Sequence, residues 1–327
     1  MVMLKFRWCD RRGMIYTVSK EDYEQKGYLT VEKVLKKRMG LSDREISRIK
    51  FAENGILLKT GKAESFSRVR ISENLSAGDT LKIRMPERKL RPNRVPPTHG
   101  MIDILYEDGD YIALNKPAGM VTHPGNGHHY DTLANLLAGY CEEKEYDCSC
   151  KVIGRLDRET SGIVLFGKHR LAVSRIQKQQ KEGLCEKKYL AIASWNAEEI
   201  PGLEKEYEIR SFMGAVKEDL MKQEIKPDGK GREAVTIYRI RKRLAGAALL
   251  EVRIKTGRTH QIRLHMASEG HPLLGDSLYG TERTATMMER TMLHAWKLHF
   301  CQPFTGKQID ITAPIPNDMK ELIERIE

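Results

Sequence analysis

Asp157 stands between two arginines in the stretch Gly154-Arg155-Leu156-Asp157-Arg158-Glu159-Thr160-Ser161-Gly162. A neighbouring positive charge favours the ionised carboxylate. An ionised, positioned Asp can act as nucleophile, electrostatic stabiliser or base. Alone the pattern is weak, because most charged side chains lie on surfaces. Its continuation is more informative. Ile163-Val164-Leu165-Phe166 is a short apolar run between Gly162 and Gly167, which reads as a buried strand. Asp157 therefore lies on a loop that feeds a core strand.

Gly-Arg-Leu-Asp followed by Thr-Ser-Gly resembles the catalytic motif of the RluA family of pseudouridine synthases. Three further blocks resemble that family in the same order. They are Asn115-Lys116-Pro117-Ala118-Gly119, Lys187-Lys188-Tyr189-Leu190-Ala191, and Thr256-Gly257-Arg258-Thr259-His260-Gln261-Ile262-Arg263-Leu264-His265. The last continues through Gly270-His271-Pro272-Leu273-Leu274-Gly275-Asp276 to Tyr279-Gly280. Many family members have His where Gly154 stands; Gly there occurs in the sister RsuA group.

The resemblance implies isomerisation of specific uridines in structured RNA. Large-subunit ribosomal RNA is the expected substrate ahead of tRNA. It implies that Asp157 is the essential carboxylate, that Tyr189 stacks on the extruded base, and that Arg263 pairs with Asp157. Arg155 would fill the gap left in the RNA stack. Arg158, Arg258, His260 and Lys116 are expected on the RNA side; Arg258, His260 and Leu274 line or buttress the pocket, and Lys116 and His123 support it rather than do chemistry. The chemistry needs no cofactor, and no obligate protein partner is implied.

These residues must be positioned by the elements around them. The expected class is α+β, with a mixed, mainly antiparallel sheet in the catalytic domain, because strands and helices mix without strict βα alternation. Three regions are expected: an RNA-binding module over residues 1–87, a basic proline-containing linker over 88–99, and the catalytic domain over 100–327. In the first module Thr30 is a plausible N-cap for a helix over 31–39, stopped by Gly40. Ser42-Asp43-Arg44-Glu45 is a capping-box pattern. It opens a second helix with Ile46 and Ile49 inward and Arg44, Arg48 and Lys50 outward. Residues 68–71 and 80–84 alternate at period two, with Gly78-Asp79 between them. Two short basic helices followed by small strands resemble the alpha-L RNA-binding domain of ribosomal proteins, which implies that Arg44, Arg48 and Lys50 meet phosphates. The linker holds Pro92, Pro96 and Pro97 with Arg88, Lys89, Arg91 and Arg94, so it is semi-extended.

Downstream, strands are expected near 102–106, 111–114, 187–193, 234–240, 249–255 and 293–300. Helices are expected near 132–138, 170–181, 259–268 and 318–326. A hairpin with a tip near 226–231 is expected inside 196–233.

Composition agrees with this reading. Lys and Arg number 56 against 45 Asp and Glu, a net charge of +11, which suits a polyanionic partner. No apolar run reaches the roughly 18 residues of a membrane span, and the first residues are too charged for a secretory signal. Cys141, Cys148 and Cys150 cluster without the second pair that tetrahedral zinc requires. Reduced thiols and a cytoplasmic location are expected. No Gly-x-Gly-x-x-Gly or Walker motif is found, and no carboxylate cluster suits a metal-dependent nuclease. The remaining alternative is a catalytically silent RNA-binding or ribosome-assembly factor on the same fold.

Overall fold

The computed structural model describes residues 6–10, 13–20, 29–39, 41–61, 63–84, 95–125, 127–146, 150–196, 202–203, 205–217, 219, 222–227 and 229–327. The chain divides into two compact units, Met1–Pro92 with Cys301–Gln308, and Asn93–Phe300 with Ile309–Glu327. Gly40, Cys148 and the linker residues Arg88, Lys89, Arg91, Pro92 and Arg94 lie outside the described residues.

In the first unit β1 (Phe6–Asp10) and β2 (Gly13–Thr17) form a hairpin. β3 (Leu29–Thr30) runs into α1 (Val31–Lys33), which continues as a π-helical turn over Val34–Arg38. Thr30 caps it as expected, accepting from the Lys33 amide at 3.3 Å. α2 (Asp43–Phe51) carries the full capping box: the Glu45 amide donates to Ser42 Oγ, and the Ser42 amide to Glu45 Oε2. Ile46 and Ile49 are buried, while Arg44, Arg48 and Lys50 are exposed. β4 (Ile56–Lys59) follows through Gly55, where a Cβ would collide with the Ile49 carbonyl oxygen. β5 (Ser67–Arg68), β6 (Asn74–Leu75) and β7 (Thr80–Arg84) complete the unit. The main sheet runs β1-β2-β7-β4-β5, with β3 and β6 paired separately. Residues 68–71 thus depart from the expected strand. Only Ser67–Arg68 pairs, with β4, and a turn closed by the Glu73 amide on the Arg70 carbonyl ends the run.

The second unit begins with β8 (Ile104–Glu107) and β9 (Tyr111–Lys116), then α3 (Leu133–Glu143) behind its Thr132 cap. β10 (Lys151–Ile153), β11 (Ser161–Gly167), α4 (Arg170–Lys181) and β12 (Cys185–Ser194) follow. β13 (Glu206–Ala215), β14 (Gln223–Ile225), β15 (Arg232–Leu244) and β16 (Ala247–Ile254) lead to α5 (Gln261–Ser268). The chain then forms α6 (Glu282–Ala285), β17 (Leu293–Cys301), β18 (Gln308–Thr312) and α7 (Asn317–Arg325). Among the described residues one sheet runs β14-β13-β15-β16-β12-β17-β11-β9-β8, with β10 on β11 and β18 on β17. β11 and β17 pair in parallel, while β9–β11, β12–β16, β12–β17, β13–β15 and β15–β16 are antiparallel.

Period-two alternation along β12 gives the sheet two apolar faces. Tyr189, Ala191 and Ala193 share one core with Leu250, Val252, Ile262 and Met266. Leu190 and Ile192 face the other way, onto Met319 and Leu322 of α7. Among the described residues no helix is long and apolar enough to cross a membrane.

Candidate active site

The Asp157 loop joins β10 to β11, and every residue of β11 is buried. Gly162 lets the parallel neighbour β17 approach: its φ is +103°, and a Cβ there would collide with the Ala295 carbonyl oxygen. A second loop, residues 117–122, grips the first. Lys116 is fully buried, and its Nζ donates to the carbonyls of Pro117, Met120 and Arg158 at 2.8, 2.7 and 3.0 Å. Three acceptors match the three N–H bonds of an ammonium. Burial pulls the Lys116 pKa down to about 7, while the charges of Asp157 and Glu159 oppose that fall. Three carbonyls around Nζ add to that opposition, so the geometry favours the charged amine. Thr122 Oγ1 donates to the Leu156 carbonyl at 2.8 Å. The Gly119 amide donates to the Arg158 carbonyl at 2.9 Å, and Arg158 Nε donates to the Gly119 carbonyl at 3.0 Å. The loop is therefore held on both sides of Asp157, whose side chain is 28% exposed.

Side chains from separate elements converge on that carboxylate. His260, at the start of α5, places Nε2 4.0 Å from Asp157 Oδ1. It does so from a left-handed backbone, φ +56°, an uncommon conformation for a residue other than glycine. Its Nδ1 lies 3.1 Å from the Tyr279 hydroxyl. That hydroxyl accepts from the Gln223 amide at 2.8 Å, so its own proton is available to Nδ1 and the Nε2–H tautomer faces Asp157. Burial lowers the His260 pKa, against the raising field of Asp157. Tyr189, in the sheet centre between Val252 and Ala295, is buried. Burial first, and the Asp157 charge second, push its phenol pKa upward. The ring is thus kept neutral.

Arg263 does not pair directly with Asp157, contrary to expectation. Its guanidinium fork closes on Asp276, Nε to Oδ2 at 2.7 Å and Nη2 to Oδ1 at 2.6 Å. Both residues are buried. Burial would raise the Asp276 carboxyl, but Arg263 and the amides of Leu278 and Tyr279 hold it below its ordinary range. The Arg263 pKa is raised despite burial, through Asp276 first and Asp157 at longer range. The fork therefore leaves Asp157 uncapped while contributing positive field to it.

α5 itself is anchored by buried Gln261. Its Oε1 accepts from Thr256 Oγ1 and the Arg258 amide, and its Nε2 donates to the Val235 carbonyl and Thr236 Oγ1. The remaining expected residues divide. Arg155 and Arg158 are exposed on the loop. Arg258 is half-buried and donates Nε to the Glu233 carbonyl. His123 is exposed, and Leu274 lies in the core on the opposite sheet face, a buttress. Lys116 was expected to touch RNA; burial and three carbonyl partners make it a brace instead. Asp276, Tyr279, Gln261 and Thr122 carry no role in the sequence reading. The first three lie inside motif blocks already recognised, but only their contacts reveal what they do.

Known proteins resemble the chain in sequence and in fold. A family model described as RNA pseudouridylate synthase matches residues 110–268. The chain is 37% identical over 250 residues to a Bacillus subtilis protein named uncharacterized RNA pseudouridine synthase YhcT, covering 75% of this chain and 78% of that one. It is 34% identical over 258 residues to the ribosomal large subunit pseudouridine synthase D of Zymomonas mobilis, covering 76% and 78%. The structure of human RNA pseudouridylate synthase domain containing 4 superposes with a TM-score of 0.55 at 19% identity, covering 68% of this chain and 92% of that one, and so shares the fold. Sequence, fold and relatives together establish the chain as a member of the RNA pseudouridine synthase family, an isomerase on the RluA side of that family.

Proposed function

We propose that this enzyme isomerises uridines in large-subunit ribosomal RNA, with Asp157 as the essential carboxylate. The observation that carries the reading is convergence: Tyr189, His260, Arg263, Lys116 and Tyr279 all lie within the electrostatic reach of one half-exposed carboxylate. Several relatives named ribosomal large subunit pseudouridine synthase D support the choice of RNA.

In the reaction the bond from uracil N1 to ribose C1′ breaks and a bond from C5 to C1′ forms. The C5 proton leaves and N1 regains a proton, so the product is an isomer. The base must first leave its stack, at a cost of roughly a few kcal/mol. Tyr189 offers it a neutral ring in the sheet centre. Asp157 acts at the ribose, its oxygens not capped by the Arg263 fork. Arg263, fixed by Asp276, supplies positive field and serves as a positioning residue. His260 directs an N–H toward Asp157. Arg155 and Arg158 flank the carboxylate on the exposed side, where Arg155 enters the gap left by the base and both meet phosphates. Residues 1–87 form the RNA-binding module through Arg44, Arg48 and Lys50, joined by the linker at 88–99 to the catalytic domain at 100–327.

Asp157→Asn tests the assignment. Tritium release from RNA carrying 5-tritiated uridine should fall by at least about 10³-fold. RNA affinity and thermal midpoint should stay near those of the parent. Tritium release at the parental rate would overturn the assignment.

A further inference from the structure

We propose that the first unit holds a separate site for one unpaired RNA nucleotide, with Phe51 as the stacking platform. This rests on the reading of that unit as RNA-binding. Phe51 is 77% exposed, at the last position of α2. Nothing in a soluble core requires an aromatic ring there. Arg44, Arg48 and Phe51 fall at i, i+4 and i+7, so they line one exposed stripe of the helix. The ring thus continues the two arginines expected to track phosphates.

Beside it opens a groove of about 580 Å³ lined by Lys50, Phe51, Arg68, Val69, Arg70 and Ile71. Among the described residues its wall contains three cations and no carboxylate. Lys50 Nζ stands 5.4 Å from the Phe51 ring centroid, leaving charge and ring on one rim. Arg68, the last residue of β5, and Arg70, just beyond it, are both exposed. An apolar ligand would leave three cations unmatched, and a free phosphate would leave the ring unused. A nucleotide in a strand answers both: its base stacks on Phe51, Val69 and Ile71 supply apolar contact, and its flanking phosphates meet Lys50, Arg68 and Arg70. A paired duplex cannot offer that face, because its bases are already stacked.

The test uses the full chain and two fluorescein-labelled RNAs, a fully paired duplex and the same duplex with a short bulge of adenosines. An adenosine bulge gives the catalytic pocket no uridine to take. Phe51→Ala should weaken the bulged RNA about 5- to 150-fold, the loss of one base–aromatic stack, and leave the duplex unchanged. Phe51→Tyr should restore binding. With 2-aminopurine in the bulge, fluorescence should be quenched on binding to the parent and not to Phe51→Ala. Equal affinities of Phe51→Ala and the parent for bulged RNA, or equal losses on both RNAs, would overturn the site. Arg44→Glu with Arg48→Glu separates the two claims. If that pair weakens both RNAs while Phe51→Ala is silent, the nucleotide site fails and the RNA-binding module stands. If the pair is silent as well, or the parent binds neither RNA, both fail.

Discussion

A guanidinium that sits near a carboxylate without touching it does different work from one that grips it. Arg263 is locked to Asp276, so its position does not depend on a contact with Asp157. Asp276→Asn keeps an acceptor for the Leu278 and Tyr279 amides but leaves Arg263 buried without its counter-charge. We expect it to cost about 3–5 kcal/mol, read by urea denaturation, and to lower tritium release as the Arg263 and Tyr279 side chains lose their fixed places. The pair also sets an acid limit. The Asp276 carboxyl is held below its ordinary value of 3.8, so its contribution is complete above that value and is lost as pH falls through the lowered one. Asp157, Tyr189 and Arg263 stand out in the sequence because each lies in a motif block. The partner of Arg263 was not, since a contact thirteen residues downstream depends on how the chain turns after α5. For Lys116 the supporting role is legible and the RNA contact is not: charge is visible in a sequence, but burial of a lysine behind three carbonyls is not.

Elements hold the Asp157 loop by backbone contact more than by side-chain bulk. β11 lies this close to β17 at residue 162 because Gly162 has no Cβ to meet the Ala295 carbonyl. Gly162→Ala should destabilise the protein by at least about 2 kcal/mol, combining steric overlap with a positive φ. Thermal denaturation measures it, and Gly154→Ala, which meets nothing within 4 Å, gives the contrast for positive φ alone. Strong periodic or apolar signals located β11, α2, α4 and α7 well. Short polar elements escaped: α6 has four residues and β14 three, too few to show a period. The start of α5 was placed at Thr259, whereas His260 turns left-handed and the helix begins at Gln261. That local strain has no sequence signature, and it is what aims the imidazole at Asp157.

Across the whole molecule, stability carries a record of histidines kept dry. His265, between Thr236 and Ser211, and His294, beside Ser161, are both buried. Burial lowers each from the ordinary 6.5 to about 4. The unfolded chain therefore takes up protons at these two sites before the folded one does. Their contribution is present above about 6.5 and is lost as pH falls toward 4. The urea midpoint should drop across that window, and a variant with both residues changed to Gln should show a shallower drop. The order of the motif blocks made the family legible over most of the chain, whereas the first unit offered only a pattern of caps and charges, and its hairpin of β1 and β2 left no clear mark. The loop that carries Asp157 is tied down largely through main-chain atoms. Lys116 and Thr122 hold it by the carbonyl oxygens of Arg158 and Leu156, atoms that every amino acid supplies. The exposed side chain at position 155 can then change without loosening the loop, while the acid at 157 keeps its station.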